Sequence, residues 1–179
     1  MARKRTTRLA ARAAARRPKG RAPARRGTRT AAAGAGPACP EHDDPAAVAA
    51  LIASLDPAAR ATVGAVRRLI LRSCAGCTEG VKWNSASFYR RGWFATVNAR
   101  RRAAGAGGAV LVLHRGAAKL GPGAAAALKR SVADPSGLLA WRGADRATVE
   151  FRSASHVAEL ARGLGPVLAS WAAGHTGEG

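Results

Sequence analysis

The sequence predicts an α+β domain in which two N-terminal helices and a C-terminal helix pack on a mostly antiparallel sheet, behind a disordered basic N-terminal tail. Three observations predict it. Between residues 44 and 73 apolar side chains recur at helical spacing behind two Asp-Pro starts. Between 92 and 152 the periodicity switches to alternation in short runs separated by Gly-rich connections. Charge is segregated as well: of 30 Lys and Arg, 12 lie in residues 1–40, which hold none of the 10 Asp and Glu.

Residues 1–40 contain Ala, Arg, Pro and Gly with almost no large apolar side chain. Such a segment cannot bury enough surface to offset its ordering entropy, so disorder is expected. Arg3, Arg5, Arg16, Arg17, Arg25 and Arg26 suit sequence-independent attachment to nucleic acid through phosphate neutralisation. An organellar transit peptide ranks lower, because the tail is poor in serine and broken by Pro18, Pro23 and Pro37. The remaining chain carries 18 − 10 = +8 of the total charge of +20.

The ordered domain is expected over 41–173, with fraying from 174 to 179. Asp44-Pro45 and Asp56-Pro57 each announce a helix, since Asp accepts bonds from free N–H groups and Pro fits the first helical position. Val48, Leu51, Ile52 and Leu55 form the apolar stripe of the first helix; Val63, Val66 and Ile70 form that of the second. The arginines opposite, Arg60, Arg67, Arg68 and Arg72, read as a solvated face.

Four residues have the chemistry of a tetrahedral zinc site: Cys39 and His42 before the first helix, Cys74 and Cys77 after the second. Bound metal would staple the two together. The competing reading is that these are small buried or incidental cysteines. A thioredoxin-like role for Cys74-Ala-Gly-Cys77 is disfavoured, because the pair ends a helix rather than starting one. With three cysteines, a disulfide framework is not expected, and the protein reads as cytoplasmic.

In Gly92–Ala99, Trp93, Ala95 and Val97 alternate with Phe94, Thr96 and Asn98, as in a strand with two dressed faces. Ala109–Arg115 is apolar enough to be central. Antiparallel pairing of the two across a basic tip, Arg100–Arg102, would place Trp93 near His114 and Gly92 near Arg115. A short helix over 123–132, a hairpin turned at Gly143-Ala-Asp145 and a last helix kinked or restarted at Gly165-Pro166 complete the chain.

The most distinctive stretch is Glu79-Gly-Val-Lys-Trp-Asn-Ser-Ala-Ser-Phe-Tyr89. Lys82, Ser85 and Ser87, with Arg90, Arg91, His114 and Arg115, are candidates for an anion-binding surface. Trp83, Phe88 and Trp93 are candidates for an adjacent ligand pocket, because such sites are mostly apolar with a few polar groups. The plainer alternative makes Trp83 and Phe88 core, pairs Glu79 with Lys82 at the surface and uses the serines to close a turn.

Taken with Leu55-Asp56-Pro57, Glu79-Gly-Val-Lys-Trp83, Leu113-His-Arg-Gly116 with Lys119-Leu120, and Asp134-Pro-Ser-Gly-Leu-Leu139 leading to Thr148-Val-Glu-Phe151, the chain resembles the YdhG-like family of domains of unknown function over roughly residues 45–173. The resemblance implies a compact α+β domain. Some members are described as frataxin-like intracellular iron chaperones, which implies iron and an iron-delivery partner. Iron is held by carboxylate oxygens, whereas the carboxylates here are scattered in a basic background, so the iron role ranks second. No G-x-S-x-G elbow, P-loop, G-x-G-x-x-G or H-E-x-x-H occurs. The leading expectation is a non-enzymatic domain that binds a small ligand or anionic partner, with a tail that adds non-specific nucleic-acid affinity. The alternatives are the iron chaperone and a nucleic-acid-associated accessory protein.

Overall fold

A computed structural model describes residues 40–99, 107–116 and 121–175. The tail at 1–39, the Arg100–Arg102 tip, Lys119-Leu120 and residues 176–179 lie outside the described residues, and so do all six arginines assigned to nucleic acid.

The fold is α+β. After a short 3-10 turn at Pro40–His42, the elements are α1 (Pro45–Ala53), α2 (Pro57–Ser73), β1 (Thr78–Lys82), β2 (Ser85–Tyr89), β3 (Trp93–Asn98), β4 (Ala109–Leu113), α3 (Pro122–Ser131), β5 (Ala140–Trp141), β6 (Ala147–Phe151) and α4 (Ala154–Ala173). The six strands form one antiparallel sheet in the order β1-β2-β3-β4-β6-β5. β4 is central, as its apolar sequence predicts.

Both Asp-Pro starts work as expected. Asp44 Oδ1 accepts from the Ala47 N–H at 2.8 Å, and Asp56 Oδ1 accepts from that of Ala59 at 3.0 Å. Each cap satisfies a donor the first helical turn leaves free. Val48 and Ile52 of α1, Val63, Val66 and Ile70 of α2, and Val157, Leu164, Val167, Leu168 and Trp171 of α4 are buried on one face of the sheet. α3 joins the same core through Leu128, as does Val132 at its C-terminal cap. Full burial of each large apolar side chain contributes about 1.5–3 kcal/mol.

Four details depart from the sequence reading. α4 runs through Pro166 without a break, because buried residues on both sides anchor it while Pro166 and Arg162 lie on the exposed flank. Gly174 and His175, expected to fray, are placed, with His175 buried against Arg115. Glu79 is buried and pairs not with Lys82 but with Arg67 of α2, whose Nε donates to Glu79 Oε2 at 2.7 Å while its Nη2 meets Oε1. Arg67 therefore leaves the solvated face, its charged form favoured by that hydrogen bond.

The fourth is a register shift between Phe88 and Tyr89, after which Tyr89 pairs with Trp93 rather than Phe94. An extra residue in one strand reverses the alternation beyond it. Phe94 consequently enters the core with Ala95, while Trp93 turns to Tyr89, His42 and Gly80.

Candidate functional site

Helices cover the sheet face that carries Ala95, Val97, Leu111, Leu113, Ala147 and Val149. By strand register the opposite face carries Ser85, Ser87, Thr96, Asn98, Val110, Val112, Thr148 and Glu150. Beyond the two serines this face lines a groove of about 630 Å³ whose walls are Trp83 at one side and Arg142 and Arg146, on the β5–β6 hairpin, at the other. The alternation in β4 is the clearest sign of this asymmetry: Ala109, Leu111 and Leu113 are buried, whereas Val110 and Val112 remain half-exposed on the groove floor.

Trp83 owes its position to a two-residue turn. Lys82 pairs with Ser85, so Trp83 and Asn84 alone connect β1 to β2, with φ of 52° and 53°. Tight hairpins favour this left-handed pair because it matches strand twist, and Asn accepts it readily. A bulky aromatic does not. Even so, Trp83 is 68% exposed, with its ring edge-on to His114 at 5.8 Å between centroids. It borders a second, smaller cavity too, of about 230 Å³, lined by Leu51, Leu55 and Val63.

Beneath Trp83 runs a chain of buried polar groups. The Gly116 N–H donates to His114 Nδ1 at 3.1 Å, which leaves the ring proton on Nε2. Nε2 lies 3.3 Å from Thr96 Oγ1, which lies 3.1 Å from Ser87 Oγ, which donates to the Ser85 carbonyl at 3.3 Å. Ser85 Oγ donates in turn to Asn98 Oδ1 at 2.6 Å. Burial, and then the positive charge of Arg146, push His114 down to about 4. The imidazole is therefore neutral near pH 7, with both nitrogens engaged inside the protein. It holds the floor of the groove in place.

The β5–β6 side is basic. Arg142 donates from Nε to Thr148 Oγ1 at 3.0 Å and pairs with Glu150 at 3.6 Å. That pair is solvent-exposed and contributes little to stability. Arg146 is exposed and has no ion-pair partner among the described residues.

The candidate residues read from the sequence do not form one site. Lys82 lies at the turn end of β1 with its ammonium 5.3 Å from the centre of the Trp93 ring. Arg90 and Arg91 follow the far end of β2, about 17 Å along the strand from Ser85. Arg115 is half-buried against His175, 5.4 Å from the Trp171 ring centre, and burial lowers its pKa. Ser85 and Ser87 are buried and spend their hydroxyls on the internal chain; Phe88 is core. His114 meets Trp83 rather than Trp93. Trp83 and His114 are thus the two candidates that the fold brings to the groove. Thr96, Asn98, Arg142, Arg146, Thr148 and Glu150 join them through sheet register, a signal that only pairing reveals.

The proposed zinc staple is not assembled among the described residues, where no group of three or more His, Cys, Asp or Glu side chains is placed to hold a metal ion. His42 instead stacks against Tyr89 at 4.2 Å and Trp93 at 5.5 Å, and Cys39 lies outside the described residues. No described helix is long and apolar enough to cross a membrane. Comparison with known proteins finds no matching family model, no matching curated protein and no matching solved structure.

Proposed function

We propose that this chain is a non-enzymatic, YdhG-like ligand-binding domain whose site is the groove on the open face of the sheet. The ligand is a small molecule with a flat apolar body and an anionic group. The body lies over Val110 and Val112 against Trp83, and the anion meets Arg146, with Thr96, Asn98 and Thr148 supplying polar contacts.

The observation that carries this reading is Trp83 itself. A tryptophan at φ 52° is strained, and one that is 68% exposed recovers little of that cost through burial. Strain of this kind is retained at functional sites, typically at about 1–3 kcal/mol per residue. Half-exposed valines below the ring and arginines across from it complete the mixed character of small-molecule sites. The iron-carrier alternative has weaker support, because Glu150, the one carboxylate lining the groove among the described residues, is paired with Arg142.

Anilinonaphthalene sulfonate has the required shape and charge, and it fluoresces on binding. The folded protein should bind it saturably. Trp83→Ala and Arg146→Ala should each weaken binding by about tenfold, equivalent to about 1.4 kcal/mol, with circular dichroism unchanged. Equal binding by wild type and both variants would overturn the proposal.

A further inference from the structure

Away from the groove, Cys74 and Cys77 occupy the turn that joins α2 to β1, and both are free. The Cys77 N–H donates to the Cys74 carbonyl at 3.2 Å, and Gly76 takes a φ of 74° that lets the chain reverse. Such a turn holds its end Cα atoms within about 7 Å, the range a disulfide spans. The two thiols differ in surroundings. Cys74 is 2% exposed, its Sγ 3.5 Å from the Leu168 carbonyl of α4. Cys77 is only half-buried, its Sγ 2.7 Å from the Cys74 carbonyl, and the Arg90 guanidinium at the end of β2 acts on it.

We propose that Cys77 and Cys74 form a reversible dithiol–disulfide site, in which the accessible Cys77 reacts with a hydroperoxide and the buried Cys74 resolves the product. Reactive cysteines sit in partly exposed, electropositive surroundings, and redox-sensing ones stand beside a resolving partner. A thiol–thiol hydrogen bond from Cys74 lowers the Cys77 pKa, burial opposes it and the charge of Arg90 adds to it; the same bond, and then burial, raises that of Cys74.

In the first step the Cys77 thiolate attacks one peroxide oxygen. An S–O bond forms, the O–O bond breaks, and the departing oxygen takes a proton to leave as water or alcohol. Cys74 then loses its proton and displaces the hydroxyl from Cys77. The S–S bond forms and a second water leaves. Two thiols have given up two electrons to the peroxide, and an external thiol reductant restores them. The disulfide ties the end of α2 to the start of β1.

The test uses the full chain with Cys39→Ser, so that two thiols remain. Hydrogen peroxide should remove two hydrogens by intact mass and protect both thiols from iodoacetamide, and dithiothreitol should reverse both changes. With Cys74→Ser added, dimedone should trap a sulfenic acid on Cys77. With Cys77→Ser instead, Cys74 should react at least about tenfold more slowly. Peptide mapping of oxidised wild-type protein reads the same pairing without any substitution. Two alkylatable thiols after peroxide, a disulfide to Cys39, or equal reactivity of Cys74 and Cys77 would each overturn the proposal.

Discussion

Thr96 Oγ1 lies 3.3 Å from Nε2 of His114, in a hydrogen-bond chain whose direction is set at one end by the Gly116 amide. Because that amide donates to Nδ1, Nε2 donates to Thr96, Thr96 to Ser87 and Ser87 to the Ser85 carbonyl. A proton added to Nδ1 would displace the Gly116 bond. The floor of the groove therefore depends on a neutral histidine.

Stability should fall in mild acid. His114 and His175 titrate at about 4 in the folded protein, against an ordinary 6.5, in both cases mainly through burial. Between those values the unfolded chain binds more protons, so the stabilisation is complete above pH 6.5 and is lost as pH falls toward 4. Each histidine adds at most about 1.4 kcal/mol per pH unit. Chemical denaturation across this window should show that slope. His114→Asn, whose Oδ1 can take the Gly116 bond, should remove about half of the histidine contribution; an unchanged slope would count against a buried neutral His114.

The Arg67–Glu79 pair should show the asymmetry of buried charges. Arg67→Ala strands a carboxylate that is 3% exposed and should cost about 3 kcal/mol in urea unfolding. Arg67→Met with Glu79→Met removes both charges and should recover most of that loss. A single-variant cost below about 1 kcal/mol would show that water reaches Glu79.

The β1–β2 turn offers a test of stored strain. Asn84→Ala should destabilise by about 1 kcal/mol, because alanine lacks the tolerance of asparagine for a φ of 53°. Trp83→Gly should stabilise by a similar amount and at the same time weaken ligand binding about tenfold, as Trp83→Ala does. Thermal unfolding reads the first effect and dye fluorescence the second.

Deleting residues 1–40 should abolish salt-sensitive binding to duplex DNA and leave groove binding intact. The slope of log affinity against log salt, about −0.9 for each phosphate neutralised, should vanish with the tail. A truncated protein that kept the slope would shift attention to the folded domain.

Much of the fold was legible because its signals are local. Asp44-Pro45 and Asp56-Pro57 mark helix starts through caps that need only neighbouring residues, and the apolar stripes of α1, α2 and α4 repeat within each helix. The β1–β2 hairpin was harder to read. Its turn is Trp83-Asn84, without glycine, and Ser85 and Ser87 resemble surface residues until Thr96 and Asn98 pair with them. The Phe88–Tyr89 register shift exchanged the faces of Trp93 and Phe94, which simple alternation cannot foresee. Glu79 found Arg67 of α2 rather than Lys82, its neighbour in the sequence, a tertiary fact. Trp83 and His114 stood out by type, whereas Arg142, Arg146 and Thr148 reach the groove only through the pairing of β4 with β6 and of β5 with β6.

The most direct test of the ligand site is a backbone-amide and indole NMR titration of the whole chain with anilinonaphthalene sulfonate. Shifts confined to the Trp83 indole, Thr96, Val110, Val112, Arg146 and Thr148 are the predicted result. Shifts centred instead on Lys82 and Trp93, or on the exposed faces of α2 and α4, with the groove residues unmoved, would contradict it.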